Sequence, residues 1–378
     1  MKQEPPVPTA IIAAIRAPFE ASGATQIEPP VLQPLGLLLD LAGEALRERL
    51  FVMQAEGGDE RCLRPDFTIP IVRAHIESGR GGGRYLYDGS VFLVSPPGTD
   101  DPDEVRQIGL ESFVAADLPL SDAKIAALAW HGALAGGRTD LSMVFGDIGL
   151  FSAFIDAMAL SEALAARLKR SFGQPRRLRA ELARADAPPS TPPRNHQLEA
   201  VLTRIPEDQA ARVLEELWSL AGIQPVGGRP ATEIVQRLTE RSRAARAPSL
   251  TAEQAAIIER YLAIAAPPPE ALKAMTLLVG GGAKAFDSAL KAWGVRQAAL
   301  EDEGIPSGRM TLAAGFSRPF GYYDGVFFEV VSGALGKDAP VAAGGRYDGL
   351  PARLGAPRPT GAVGCMVRPA RAWAGAPA

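Results

Sequence analysis

The sequence predicts an α+β fold, a mixed sheet flanked by helices and interrupted by a mainly helical insertion. Three observations carry this reading. The N-terminal third interleaves helix-patterned segments with long strand pairs and lacks the regular βαβ alternation of a doubly wound sheet. From about residue 150 to 305 the strand patterns give way to helical periodicity, and they return afterwards. A chain of 378 residues also exceeds what one compact core usually holds, so the change of character marks two structural parts. Residues 1–150 with 305–378 form the sheet-bearing core, and 151–304 form the insertion.

The elements follow in order. IIAAIRAPFEASG, residues 11–23, has helical periodicity and a glycine stop, and TQIEPPVLQP then reads as a strand running into proline-rich chain. RLFVMQAEGGDERCLRPDF, residues 49–67, reads as two strands joined through GGDE. TIPIVRAHIESG, 68–79, is a helix that ends in the glycine loop GRGGG. YLYDGSVFLVS, 85–95, and VRQIGLESFVA, 105–115, are long strands around PPGTDDPDE. The helix SDAKIAALAWHGALAGG and the strand LSMVFGD close this part.

The insertion carries helical patterns in SAFIDAMALSEALAARLKR, NHQLEAVLTRI, DQAARVLEELWSLAG, TEIVQRLTERSRAAR, TAEQAAIIERYLAIA and ALKAMTLLVGG, punctuated by DAPPSTPPRN and APPPEA. Strands resume in RMTLAAGFSR, GVFFEVVSG and AAGGRYDGL. No fixed-period repeat is present, which argues against a solenoid.

Composition narrows the function. Hydrophobic residues make up 47% and charged residues 22%, and no run approaches the roughly 18 to 20 apolar residues of a membrane span, so a soluble protein is expected. MKQEPPVPTA lacks a signal-peptide core, and Cys62 and Cys365 are too few for a disulfide framework, so cytoplasmic residence is expected. The formal charge of −3 lacks the basic footprint of a dedicated nucleic-acid binder. The basic run LKRSFGQPRRLRAELAR, 168–184, reads as a solvated helical face. His75, His131 and His196 are scattered without metal-ligand spacing, so neither a metal nor a cofactor is expected.

AAGGRYDGL, 342–350, is the densest cluster of chemistry. A glycine pair allows close backbone approach, and Arg346, Tyr347 and Asp348 offer a guanidinium, a phenol and a carboxylate. The segment reads either as a small polar ligand site or as a turn whose Arg and Asp satisfy each other. It lacks the Lys-Ser/Thr ending of a P-loop.

Four stretches together resemble the catalytic core of class II histidyl-tRNA synthetases. LRPDFTIPIVRAHIE is similar to the start of that family's motif 2 and RQIGLESF to its end; RPFGYYDGVFFE resembles the histidine-specific segment RGLDYY, and AAGGRYDGL matches AGGRYDGL. The resemblance covers most of residues 10–148 and 305–371 and implies a class II aminoacyl-tRNA synthetase-like antiparallel sheet flanked by helices. It also implies a pocket for free histidine. The α-ammonium would meet Asp66, Gln107 and Glu111, with Thr68 beside them, and the α-carboxylate would meet Arg318. The imidazole would lie against Tyr322, Tyr323 and Tyr347.

The departures are as informative. Where the synthetases carry the motif 2 arginine that grips the α-phosphate of ATP, this chain has Leu93, followed by Ser95 in place of Glu. An apolar side chain cannot stabilise charge developing on phosphorus, and losing such a contact costs about 3 kcal/mol or more of transition-state stabilisation. Gly321 replaces the Asp of RGLDYY. Arg371 aligns with the motif 3 arginine, but Arg368 and Pro369 break the pattern before it. The chain also ends about where an anticodon-binding domain is expected to begin.

This combination resembles the regulatory subunits of ATP phosphoribosyltransferase. That resemblance implies a non-catalytic chain that self-associates as a dimer, joins a separate short catalytic subunit in a hetero-octamer, is required for activity and transmits feedback inhibition by free histidine. No tRNA partner and no catalytic residues are expected. Two other classes fit the same core: a divergent class II synthetase-like enzyme activating an amino acid for a non-tRNA acceptor, and a remnant that holds tRNA through the Arg-rich insertion.

Overall fold

The computed structural model describes residues 4–42, 44–54, 58–96, 98–99, 101–114, 118–186, 205–221, 230–232, 234–236, 238–239, 249–317 and 322–375. The chain opens with helix α1 (Thr9–Ala21), strands β1 (Thr25–Gln26) and β2 (Leu32–Pro34), and helix α2 (Leu35–Ala42). Strands β3 (Val52–Gln54) and β4 (Glu60–Leu63), helix α3 (Thr68–Glu77) and the ten-residue strands β5 (Gly83–Phe92) and β6 (Glu104–Phe113) follow. Helix α4 (Leu118–Ala135) and strand β7 (Leu141–Asp147) complete this part.

Helices α5 (Ile148–Ala157), α6 (Glu162–Ser171), α7 (Pro175–Leu182), α8 (Glu207–Ala221) and α9 (Ala252–Leu262) come next, then strand β8 (Ala265–Ala266) and helices α10 (Pro268–Val279) and α11 (Lys284–Asp302). The chain returns through β9 (Met310–Ala313), β10 (Val326–Ser332), β11 (Ala342–Arg346), helix α12 (Gly349–Arg353), β12 (Ala362–Val367) and helix α13 (Pro369–Ala372).

The fold class is the expected one. A nine-stranded sheet runs in the order β1-β5-β6-β12-β11-β10-β7-β9-β8, and its six central strands are paired antiparallel throughout. Toward each edge one pairing is parallel, β1 with β5 and β7 with β9, so the sheet is mixed rather than wholly antiparallel. A small second sheet, β2-β4-β3, is antiparallel. TQIEPPVLQP is two short strands and not one, because Pro29 and Pro30 supply no N–H donors for a ladder.

Two compact units emerge, residues 1–153 with 261–378 and residues 154–260. The second is narrower than the 151–304 insertion read from the sequence. Strand β8 pairs with β9 at Ala265↔Ala313, and α11 packs on α4, which groups 261–304 with the sheet. Within the second unit Ala210, Ala211, Leu214, Ala231 and Val235 form a small apolar core. The expected helix NHQLEAVLTRI, apart from its final Ile205, lies outside the described residues, as does much of TEIVQRLTERSRAAR.

Helix α4 lies on one face of the large sheet, against β10, β11 and β12, while α1 and α11 pack on it in turn. Packed on several sides, it buries Ala123, Ile125, Ala126, Ala129, Trp130 and Ala133, together with the charged Asp122. The opposite face carries a second core in which Phe67, Ile71, Tyr85, Tyr87, Phe113 and Tyr347 join α2, α3 and the small sheet. Strand alternation decides which side chains reach which face: Val105, Gln107, Gly109 and Glu111 of β6 share this second side.

Candidate ligand cavity

On that second face the sheet forms the floor of a cavity of about 180 Å³. The turn Pro65–Asp66–Phe67 and the start of α3 form one wall, and Tyr322, Tyr323 and Tyr347 form another. The turn is braced by Arg64, whose guanidinium lies 4.2 Å from the Phe67 ring centre and donates to the carbonyls of Ser90 (2.8 Å) and Pro29 (2.7 Å). Asp66 Oδ1 accepts the N–H of Ile69 at 3.2 Å, which fixes its carboxylate at the start of α3.

Glu111 is the deepest group, with 1% of its surface exposed. Thr68 Oγ1 donates to its Oε1 at 2.7 Å, and the phenol of Tyr347 donates to its Oε2. Two glycines make this packing possible. A side chain at Gly364, which faces Glu111 across the β12–β6 pairing, would overlap Glu111 Oε2, and one at Gly109 would overlap the Tyr87 hydroxyl. The Tyr87 ring stacks on Phe67 at 4.3 Å and its hydroxyl donates to the Cys365 carbonyl at 3.3 Å. Tyr322 meets Tyr347 edge-on at 5.9 Å and Tyr323 at 4.8 Å, giving an aromatic wall beside the carboxylates.

Burial controls the electrostatics. Desolvation pushes the Glu111 carboxyl up to about 8, against the pull of the hydrogen bonds from Tyr347 and Thr68, and the Asp66 charge adds to the rise. Asp66 is pushed up to about 6, again by burial, with the N–H groups of Ile69 and Thr68 opposing. At neutral pH burial favours the protonated form of Glu111 more than that of Asp66, and a cation arriving beside Glu111 would favour release of its proton to solvent. Burial likewise holds the Tyr322 and Tyr347 phenols well above their ordinary range, so both remain neutral donors.

Of the residues singled out in the sequence, Asp66, Thr68, Gln107, Glu111, Tyr322, Tyr323 and Tyr347 all line this one cavity. Arg318 and Gly321 lie outside the described residues. The AAGGRYDGL segment divides its labour. Tyr347 enters the cavity, but Arg346 turns to the other face, where its Nε donates to Asp122 at 2.7 Å, its Nη2 to Ser121 at 2.6 Å and its Nη1 to Asp348 at 2.8 Å. Arg296 completes this buried cluster through two bonds to Asp122, at 3.0 and 2.7 Å. Asp348 also accepts the N–H of Ala362 at 2.7 Å, so its carboxylate ties the end of β11 to β12. Arg346 and Asp348 thus serve the fold, and the polar trio does not face a ligand together.

Sequence reasoning missed Tyr87 and Arg368 as lining residues. Tyr87 was legible, since alternation along YLYDGSVFLVS puts it on the same face as Val91 and Leu93. Arg368 stood out only as a break in a motif. Leu93 lines the cavity, and the hydroxyl of Ser95 donates to the Asp101 carbonyl at 2.7 Å, holding the β5–β6 connection. Arg371 donates to the Pro340 carbonyl at 3.2 Å.

The matched family model is Histidyl-tRNA synthetase, over residues 8–226 and 210–370. A curated relative from Mesorhizobium japonicum, an ATP phosphoribosyltransferase regulatory subunit, is 36% identical over 370 residues, 95% of each chain. The chain belongs to the ATP phosphoribosyltransferase regulatory subunit family. Relatives with the same name from Chelativorans sp. and Agrobacterium fabrum are each 34% identical, covering 92% of this chain and 92% and 91% of theirs.

Solved structures agree on the fold of this family member. An ATP phosphoribosyltransferase regulatory subunit/histidyl-tRNA synthetase from Bacillus halodurans superposes with a TM-score of 0.64 at 19% identity, covering 95% of this chain and 76% of that one. A histidine–tRNA ligase subunit from Alicyclobacillus acidocaldarius gives 0.59 at 20% identity, covering 99% and 95%. Among the described residues no helix is long and apolar enough to cross a membrane.

Proposed function

We propose that this chain is the non-catalytic regulatory subunit of ATP phosphoribosyltransferase in histidine biosynthesis, working in the cytoplasm with a separate short catalytic subunit, and that its cavity binds free histidine as the feedback signal. The observation that carries this reading is the cavity itself. Two carboxylates and a tyrosine wall suit a small cationic, aromatic amino acid, while Leu93 stands where adenylate chemistry needs a phosphate-gripping cation. In this arrangement Asp66 and the Gln107 amide oxygen take the α-ammonium, and Tyr322, Tyr323 and Tyr347 flank the ring. Glu111, beside them at the floor of the cavity, ionises as the ligand supplies a counter-charge. The names of the relatives, ATP phosphoribosyltransferase regulatory subunit, support the enzyme and the regulatory role; the short catalytic partner, the dimer of this chain and the hetero-octamer are the part of the proposal that the family resemblance implies.

Inhibition requires histidine to bind the less active state of the complex more tightly than the active one, since equal affinity shifts nothing. A coupling of about 1 to 3 kcal/mol changes activity by several-fold to about a hundredfold. Reciprocity then requires the substrates of the catalytic chain to weaken histidine binding equally. Mixing the purified chain with a short catalytic subunit tests the reading. The two should co-migrate, and phosphoribosyl-ATP formation should depend on both. A catalytic chain that is equally active alone, or that never associates, contradicts it.

A further inference from the structure

Arg368 follows the last residue of β12 and caps the start of α13, and among the described residues lining the cavity it is the one cation. Its side chain is 14% exposed, and its Nη2 donates to Glu4 Oε1 at 3.0 Å. Its Nε is buried with no hydrogen-bond partner among the described residues. Glu4 is itself only 11% exposed, and its second oxygen accepts the backbone N–H of Arg106 at 3.2 Å, next to Gln107 in the cavity. A short segment ahead of α1 thus lays a carboxylate against the cation of the cavity.

That pairing is incomplete. A guanidinium presents a planar fork of donors that suits two-point contact with a carboxylate, yet among the described residues its side chain makes one bond, to Glu4, and leaves a buried donor over. Leaving a buried donor unpaired is unfavourable, so the site has unused capacity for an acceptor. Arg371 lies close enough to feel Arg368: burial first, and then the Arg368 charge, lower it to about 10, with Glu4, Asp101 and Glu329 opposing.

We infer that Arg368 is the carboxylate-binding residue of the cavity, and that Glu4, its resident counter-ion, is displaced by the carboxylate of an entering free amino acid. One carboxylate replaces another, so Arg368 is never stranded without a counter-ion. The exchange releases the segment before α1 from the backbone of β6, which gives ligand entry an output at the protein surface. The inference rests on reading the cavity as an amino-acid site and adds to it the group that recognises the acid function.

The test is calorimetric titration of the full chain with histidine and with histidinol, which lacks the carboxylate. Wild type should prefer histidine by about tenfold or more, the value of a charge-assisted hydrogen bond. Arg368→Met should abolish that preference by weakening histidine alone. Glu4→Gln should tighten histidine several-fold and leave histidinol unchanged. Arg368→Met with the preference intact, or a loss confined to Arg318→Met, overturns the inference while the amino-acid site stands. If wild type binds neither compound, the amino-acid reading falls and this inference with it. If Arg368→Met does not fold, Glu4→Gln decides, and unchanged or weaker histidine binding refutes the exchange.

Discussion

Glu111→Gln should change how the stability of the protein depends on pH. The substitution preserves size and leaves partners for Thr68 and Tyr347, but removes the proton that the buried carboxyl carries. In the native state that proton is held up to about pH 8, whereas the ordinary value is 4.5. Between those limits the native state binds more protons than the unfolded chain, so stability falls as pH rises through the window and levels off above it. At about 1.4 kcal/mol per pH unit, the loss is on the order of 4 to 5 kcal/mol, a large share of the ~5 to 15 kcal/mol that holds a typical domain. Asp66, raised from 3.8 to about 6, adds a smaller loss of the same sign at lower pH, and the two carboxyls titrate as a pair. Urea unfolding from pH 5 to 9 measures both proteins. Wild type should lose several kcal/mol relative to Glu111→Gln across this range. Parallel curves would refute the assignment of a buried, protonated Glu111.

The other predictions concern the scaffold and adenylation chemistry. Asp122→Asn removes the acid partner of the buried Arg296 guanidinium and leaves Arg346 with Asp348 and Ser121, and should destabilise the protein by about 3 to 5 kcal/mol in denaturant titrations, where a change below ~1 kcal/mol would contradict the cluster's role. Gly364→Ala forces a methyl group into Glu111, so histidine binding by calorimetry should fall with a stability loss of about 1 to 3 kcal/mol; full retention of both would misplace Glu111. The pure chain should show no histidine-dependent ATP–pyrophosphate exchange, and Leu93→Arg alone should not create it, because the motif 3 stretch at Arg368 and Pro369 also departs; measurable exchange by wild type would restore an enzymatic reading.

Much of the fold was legible because its signals are local. Alternation marked β5 and β6, periodicity and stops marked α1, α3 and α4, and the glycine-rich strands announced close backbone approach. What failed was inference from adjacency. Arg346 and Tyr347 are neighbours in sequence, and the pleat sends them to opposite faces, one into a buried ion cluster and the other into the cavity. Grouping residues 261–304 with the sheet depends on β8 pairing with β9 and on α11 packing against α4, contacts that no local pattern encodes. The partner of Arg368 lies 364 positions away at Glu4, so its role could be read only once β12 was placed across the cavity.

The most direct test of the sensor role is a histidine titration of phosphoribosyl-ATP formation by the complex of this chain with a short catalytic subunit, comparing wild type with Asp66→Asn. Asp66 lines the cavity, and its loss should weaken ammonium binding by about tenfold or more. The variant complex should assemble and match wild type without histidine, yet need at least that much more histidine for half-inhibition. An unshifted inhibition curve, in a variant shown by calorimetry to have lost histidine at this cavity, would contradict it.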